Sequence, residues 1–239
     1  MKKYLIVIAV LSALAALPGC NHRNDAHSAA ATGQAEELKA MQQSYRGVLP
    51  CADCSGIETT LFLEKDGTWV MNERYQDGKG DSEFASWGTW ARTADRLVLT
   101  DTQGEKRYFR PKGEDIEMLD REGHPITSQL DYTLKATDAT LPATPMPMRG
   151  MYFYMADAAV FTDCATGKRV NVQNNAQLER AYAQAKGEAT APVLLEVKGH
   201  FALTANEDTG APEKTLVTDG NGTFLAGKRC EDDASRPSR

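Results

Sequence analysis

Cys51-Ala52-Asp53-Cys54 is the stretch of this 239-residue chain with the most evident chemistry. A cysteine pair spaced this way can cycle as a redox dithiol, hold a soft metal ion or close a short structural disulfide. Redox cycling needs the first sulfur at a helix N-terminus, where the dipole lowers the thiol pKa. Here Ser55-Gly56 leads into Ile57-Glu58-Thr59-Thr60-Leu61, an alternating pattern that predicts a strand, so the redox reading is set aside. No Ser/His/Asp set is evident, and His124 falls in a turn signal, so the chain reads as non-enzymatic. Thioether sulfur suits Cu(I), and Met146, Met148, Met151 and Met155 lie within ten residues of one another. With reduced Cys51 and Cys54 they form a candidate copper set. The competing reading places Met151 and Met155 in a core and leaves Met146 and Met148 on a linker, since methionine commonly fills cores.

Which chemistry applies depends on the compartment. Lys2 and Lys3 precede a short apolar run over 4–17, too short to span a bilayer and typical of a secretory signal. It ends in Leu17-Pro18-Gly19-Cys20, which resembles the lipobox of bacterial lipoproteins, with Pro18 where Ala or Ser is usual. Cys20 is therefore expected to carry lipid after removal of residues 1–19. Each buried acyl CH₂ is worth about 0.8 kcal/mol, so three chains anchor firmly. Asn21, rather than Asp, after the cysteine points to the outer membrane, with the protein facing the periplasm. The remaining cysteines, Cys51, Cys54, Cys164 and Cys230, imply two disulfides in an oxidising compartment, with three connectivities open. The full chain carries a net charge of −6, and loss of Lys2 and Lys3 leaves 25 cationic against 33 acidic side chains, or −8. That balance argues against nucleic acid and against broad docking on anionic lipid.

The elements that hold these residues follow from alternation and turns. Residues 20–44 are rich in Ala, Gln and Glu and read as a tether. About 24 residues reach at most roughly 80 Å fully extended. Its His22 and His27 read as solvated linker residues rather than a metal clip. Over 45–135 the pattern predicts about eight short antiparallel strands, at 46–49, 57–64, 69–75, 84–92, 97–101, 107–110, 116–119 and 129–135. Asp66-Gly67, Asp77-Gly78, Gln103-Gly104, Lys112-Gly113 and Glu122-Gly123 supply turns. An up-and-down barrel removes the exposed edges of such strands, and a small one holds one ligand or fills itself with side chains. Pro142, Pro145 and Pro147 mark 136–149 as a linker. Over 150–235, three strands, a helix at 174–186 and two more strands give the order of an OB fold. Asn174 is the expected N-cap with Gln177 at N3, and Leu178, Ala181, Tyr182 and Ala185 form the apolar stripe. The fold class is thus mainly β, a barrel followed by an OB-fold domain. On that division, pairing Cys51 with Cys54 and Cys164 with Cys230 keeps each bond within one domain.

The lipobox, Leu49-Pro50-Cys51-Ala52-Asp53-Cys54-Ser55-Gly56-Ile57-Glu58, Asp66-Gly67-Thr68-Trp69, Met118-Leu119-Asp120-Arg121-Glu122-Gly123 and Gly150-Met151-Tyr152-Phe153-Tyr154-Met155-Ala156-Asp157 together resemble one family. It is the NlpE, or CutF copper homeostasis, family of outer-membrane lipoproteins of Gram-negative enteric bacteria. The resemblance covers signal, tether, both domains and all five cysteines. It implies a lipocalin-like N-terminal barrel, a C-terminal OB fold, and roles in copper tolerance, surface adhesion and activation of the Cpx envelope stress response through the sensor kinase CpxA. The expectation is an outer-membrane-anchored, non-catalytic sensor and adaptor that requires no cofactor, with copper as a candidate ligand. The alternative is a periplasmic carrier of copper or a small apolar ligand.

Overall fold

A computed structural model describes residues 43–76, 82–173, 175–206 and 209–233. The signal, Cys20, Asn21, His22, His27, the Asp77-Gly78 turn and Asn174 lie outside the described residues. Eight strands form the first barrel: β1 Gln43–Leu49, β2 Ile57–Leu63, β3 Thr68–Tyr75, β4 Ser82–Arg92, β5 Leu97–Asp101, β6 Lys106–Lys112, β7 Asp115–Met118 and β8 Thr133–Thr137. Each pairs antiparallel with the next, and β8 returns to β1 through Tyr45↔Ala136, which closes the sheet. Alternation sets the inside. Tyr45, Leu61 and Met71 stand opposite one another across β1–β3 and join Leu49, Leu63, Trp69, Leu97, Leu99, Phe109, Ile116 and Leu134 in a buried interior. The eighth strand starts later than the pattern suggests. Leu130 is 61% exposed, and Asp131 accepts the Thr133 N–H, so 129–132 remain loop.

Gly-Thr-Trp occurs twice in the first barrel, as Gly67-Thr68-Trp69 and Gly88-Thr89-Trp90, and the two glycines serve different ends. Gly67 takes the left-handed backbone conformation (φ 82°) that the β2–β3 turn needs. Gly88 instead sits where a Cβ would lie 1.9 Å from the Thr100 carbonyl oxygen, so β4 and β5 approach through it. The two indoles seal the same end of the barrel. Trp69 Nε1 donates to the Thr89 and Thr100 carbonyls and Trp90 Nε1 to the Glu64 carbonyl.

The second barrel comprises β9 Met146–Met155, β10 Ala158–Asp163, β11 Arg169–Gln173, α1 Ala176–Ala185, β12 Val193–Ala205 and β13 Pro212–Leu225, with a 3₁₀ turn at Cys230–Asp233. Its sheet closes in the order β10-β11-β13-β12-β9; α1 joins β11 to β12, and β12 turns back into β13, which runs parallel beside β11. Two expectations change here. The chain is already strand at Met146, because β9 pairs with β12 from Met146↔Gly199. Pro147 is tolerated there because β9 has a neighbour on one side only, its pairing with β10 beginning at Gly150. The helix begins at Ala176, with Asn175 at the N-cap and no side-chain capping bond. The helix is held instead by burial of Leu178 and Tyr182, the latter edge-to-face on Tyr152 at 5.4 Å. Ala181 and Ala185 are only half-buried.

Candidate functional site

Cys51 and Cys54 close a disulfide in the β1–β2 connection, with Cα atoms 5.3 Å apart and Ala52 and Asp53 exposed. Ser55 N–H donates to the Gln76 carbonyl and Gln76 N–H to the Gly56 carbonyl, so the loop is stitched to the end of β3. Ile57 then opens β2, so the first sulfur faces a strand rather than a helix dipole. Below this loop the barrel interior is occupied by the apolar side chains named above. Near its upper end Arg107 on β6 spans to Glu73 on β3 through two hydrogen bonds of 2.7 and 3.1 Å. These apolar side chains take up the interior that the carrier reading would use.

The methionines do not converge. Met146 and Met148 are 1% and 5% exposed and belong to the core of the second barrel. Met151 and Met155 have the opposite parity along β9, and Met155 is 58% exposed. The core-and-linker reading is therefore corrected: the pair placed on a linker is core, and of the pair placed in the core Met151 is half-buried and Met155 exposed. Period-two geometry keeps the four thioethers from ligating one ion, and Cys51 and Cys54 spend their sulfurs on each other. Among the described residues no cluster of three or more His, Cys, Asp or Glu suits a metal ion.

Cys164, directly after β10, bonds to Cys230 at the start of the terminal 3₁₀ turn. The bond closes the C-terminal segment onto the barrel. Cys164 N–H donates to the Arg149 carbonyl, and Arg149 Nη1 donates to the Cys230 carbonyl at 3.3 Å. Beside it, Asp163 is buried and accepts from the Ala165 and Thr166 amides and the Thr166 hydroxyl; burial pushes its carboxyl up against those bonds. Both cysteines are half-buried at the wall of a cleft of about 910 Å³ that also includes Arg149, Glu196 and, from the first barrel, Gln103.

The junction between the barrels was not foreseen. Phe62, Val70 and Trp87 stand in register across β2, β3 and β4 on the outer face, and each is buried because the second barrel covers it. Phe201 on β12 meets Trp87 edge-to-face, centroids 4.9 Å apart. Lys214 on β13, its side chain 9% exposed, reaches across to the Asp66 carboxylate at 2.7 Å and the Thr68 hydroxyl at 2.6 Å, with its ammonium 5.1 Å from the Phe201 ring centroid. Lys168 donates to the Asp66 carbonyl. Burial alone would raise the Asp66 carboxyl, but the hydrogen bonds from Lys214 and Thr68 hold it below its ordinary value. Neighbouring Glu64 is pushed up by burial, the Lys214 charge opposing and the Asp66 charge adding. Trp87 Nε1 is buried with no hydrogen-bond partner among the described residues, a cost of about 1–3 kcal/mol. The available signal was Phe62, an aromatic on the otherwise polar face of Glu58, Thr60 and Glu64.

Comparison with known proteins places these parts. Residues 45–129 match the family described as the NlpE N-terminal domain, and residues 142–231 match the NlpE C-terminal OB domain. Lipoprotein NlpE of Escherichia coli (strain K12) is 60% identical over 231 residues, 96% of this chain and 98% of that protein. A 17 kDa lipoprotein of Treponema pallidum (strain Nichols) is 29% identical over 96 residues, 39% of this chain and 62% of that protein. Among solved structures, that of the Cpx pathway activator NlpE from Escherichia coli is 63% identical, covers 80% of this chain and 99% of its own, and has a TM-score of 0.41.

Proposed function

The chain belongs to the NlpE lipoprotein family, and on that premise we propose that it is a lipid-anchored, non-catalytic activator of the Cpx envelope stress response that docks on the sensor kinase CpxA. The observation that carries this reading is the unequal reliance of the two barrels on their disulfides. Cys51–Cys54 closes four residues of a surface loop, and the first barrel keeps its own apolar interior without it. Cys164–Cys230 spans 66 positions and ties the chain end to the second barrel. Failed oxidation would therefore open one barrel and leave the other able to dock. Asn21 and a lipid on Cys20 support an outer-membrane site facing the periplasm, from which a delayed or tethered chain reaches the inner-membrane kinase.

Copper tolerance and surface adhesion are proposed as outputs of the same signalling role. For copper, the buried Met146 and Met148 and the filled barrel favour signalling over storage. Reduced Cys51 and Cys54, on an exposed loop, are the pair left to meet a soft ion. Photoreactive residues introduced into each barrel of the full chain in cells test the docking. Capture of CpxA from first-barrel positions is the expected result, and capture from neither barrel would refute the adaptor role. Retention of copper or lipid by the purified oxidised protein would favour the carrier instead.

A further inference from the structure

We propose that the outer face of β2–β4, the row Phe62–Val70–Trp87 rimmed by Glu64, Asp66 and Glu83, is the surface on which the chain meets its signalling partner, and that the second barrel occupies it as a stand-in. This rests on the reading of the chain as an activator acting through a sensor kinase. The partner is a protein surface that presents an apolar or aromatic knob flanked by Lys or Arg, with a hydrogen-bond acceptor beside it.

Three features of the junction point there. First, an apolar row aligned across three strands on the outside of a barrel has no use in a freely solvated domain and must be covered. Second, the cover is charge-complementary through few groups. Lys214 answers Asp66 and Thr68, Lys168 answers the Asp66 carbonyl, and Phe201 fills the space against Trp87. Glu83 takes its partners from its own barrel and the connection: Asn72 and Thr144 donate to it, and the nearby Arg74 charge helps hold its carboxyl low. Third, the Trp87 indole N–H is buried without an acceptor among the described residues, so the second barrel completes the face less well than a surface offering a carbonyl or carboxylate there. The segment joining the barrels, residues 138–145, belongs to no strand, so the cover can swing away without unpairing either sheet. A partner that binds only the uncovered face has its apparent affinity reduced by the fraction of chains in which the face is free. Loosening the cover therefore raises affinity with no change in the face itself.

The test uses the full chain with both disulfides intact and the purified periplasmic domain of CpxA. Lys214→Glu places like charge against Asp66 and should part the barrels, read as a shifted Trp87 indole N–H resonance; Phe201→Asp parts them independently from the hydrophobic side. Either variant should bind the sensor domain about ten-fold more tightly than the parent, a coupling of ordinary size. Adding Val70→Glu to either should abolish that gain. If the barrels part and affinity does not rise, if Val70→Glu leaves the gain intact, or if the opened chains pair with each other instead of the sensor, the assignment of this face is wrong while the activator reading survives. If no chain, parent included, binds the sensor domain at any concentration tested, both fail.

Discussion

Asp66 and Glu64 lie two residues apart at the junction and titrate in opposite senses, which makes them the sharpest residue-level test. Asp66 is held below its ordinary value of 3.8, so its stabilising contribution is complete above that value and lost as pH falls through the lower folded value. Glu64 is raised above its ordinary value of 4.5, so the folded chain favours its protonated form, and the cost of its charge sets in as pH rises past 4.5 and is complete above the folded value. Asp66→Asn should therefore lower the melting temperature at pH 7 with a shrinking difference toward pH 3. Glu64→Gln should raise it at pH 7 with no gain below pH 4; thermal melts across that range check both signs. At the other end of the chain, Cys20→Ala should abolish incorporation of labelled palmitate, and unchanged labelling would remove the anchor from the account. The types of these residues were legible in the sequence, but their partners were not. The pairing of cysteines followed once each bond was kept within a domain. The methionines were misplaced because parity along a strand depends on where it starts, and the prolines around Met146 hid that start.

At the scale of elements, alternation and Gly turns exposed the eight strands of the first barrel, and a helix between strands exposed the OB order of the second. Boundaries drifted where local side chains overrode the pattern, as at Asp131, which caps Thr133 and delays β8. The Gly-Thr-Trp repeat was visible as a repeat, but the separate duties of its glycines required three dimensions. Gly67 serves a turn and Gly88 a close approach of strands. Gly88→Ala puts a methyl group into the Thr100 carbonyl, so it should destabilise the first barrel by about 1–3 kcal/mol or more. Urea unfolding followed by Trp fluorescence measures this, and a loss below about 0.5 kcal/mol would show that β4 and β5 can separate at little cost. The junction lay beyond sequence reasoning because it pairs the outer face of β2–β4 with Phe201 and Lys214, more than a hundred residues away, and only Phe62 broke the local pattern.

For the whole molecule, the central claim is that one barrel reports on oxidation while the other carries the signal. In the loop-entropy model, losing a bond that closes about 67 residues removes roughly 4 kcal/mol, against about 2 for a four-residue loop. Domains commonly hold only about 5–15 kcal/mol in total, so the larger loss removes from about a quarter to most of the second barrel's stability. Cys164 and Cys230 are half-buried at the wall of an open cleft. The most direct measurement is a Cpx reporter in cells carrying Cys164→Ser, Cys230→Ser, Cys51→Ser or Cys54→Ser at matched protein levels, with protease digestion of each protein. We predict that the two C-terminal variants raise the reporter and lose their second barrel to protease, while the two N-terminal variants raise it less. A basal reporter in the C-terminal variants, with their second barrel opened by the same digestion, would contradict the account.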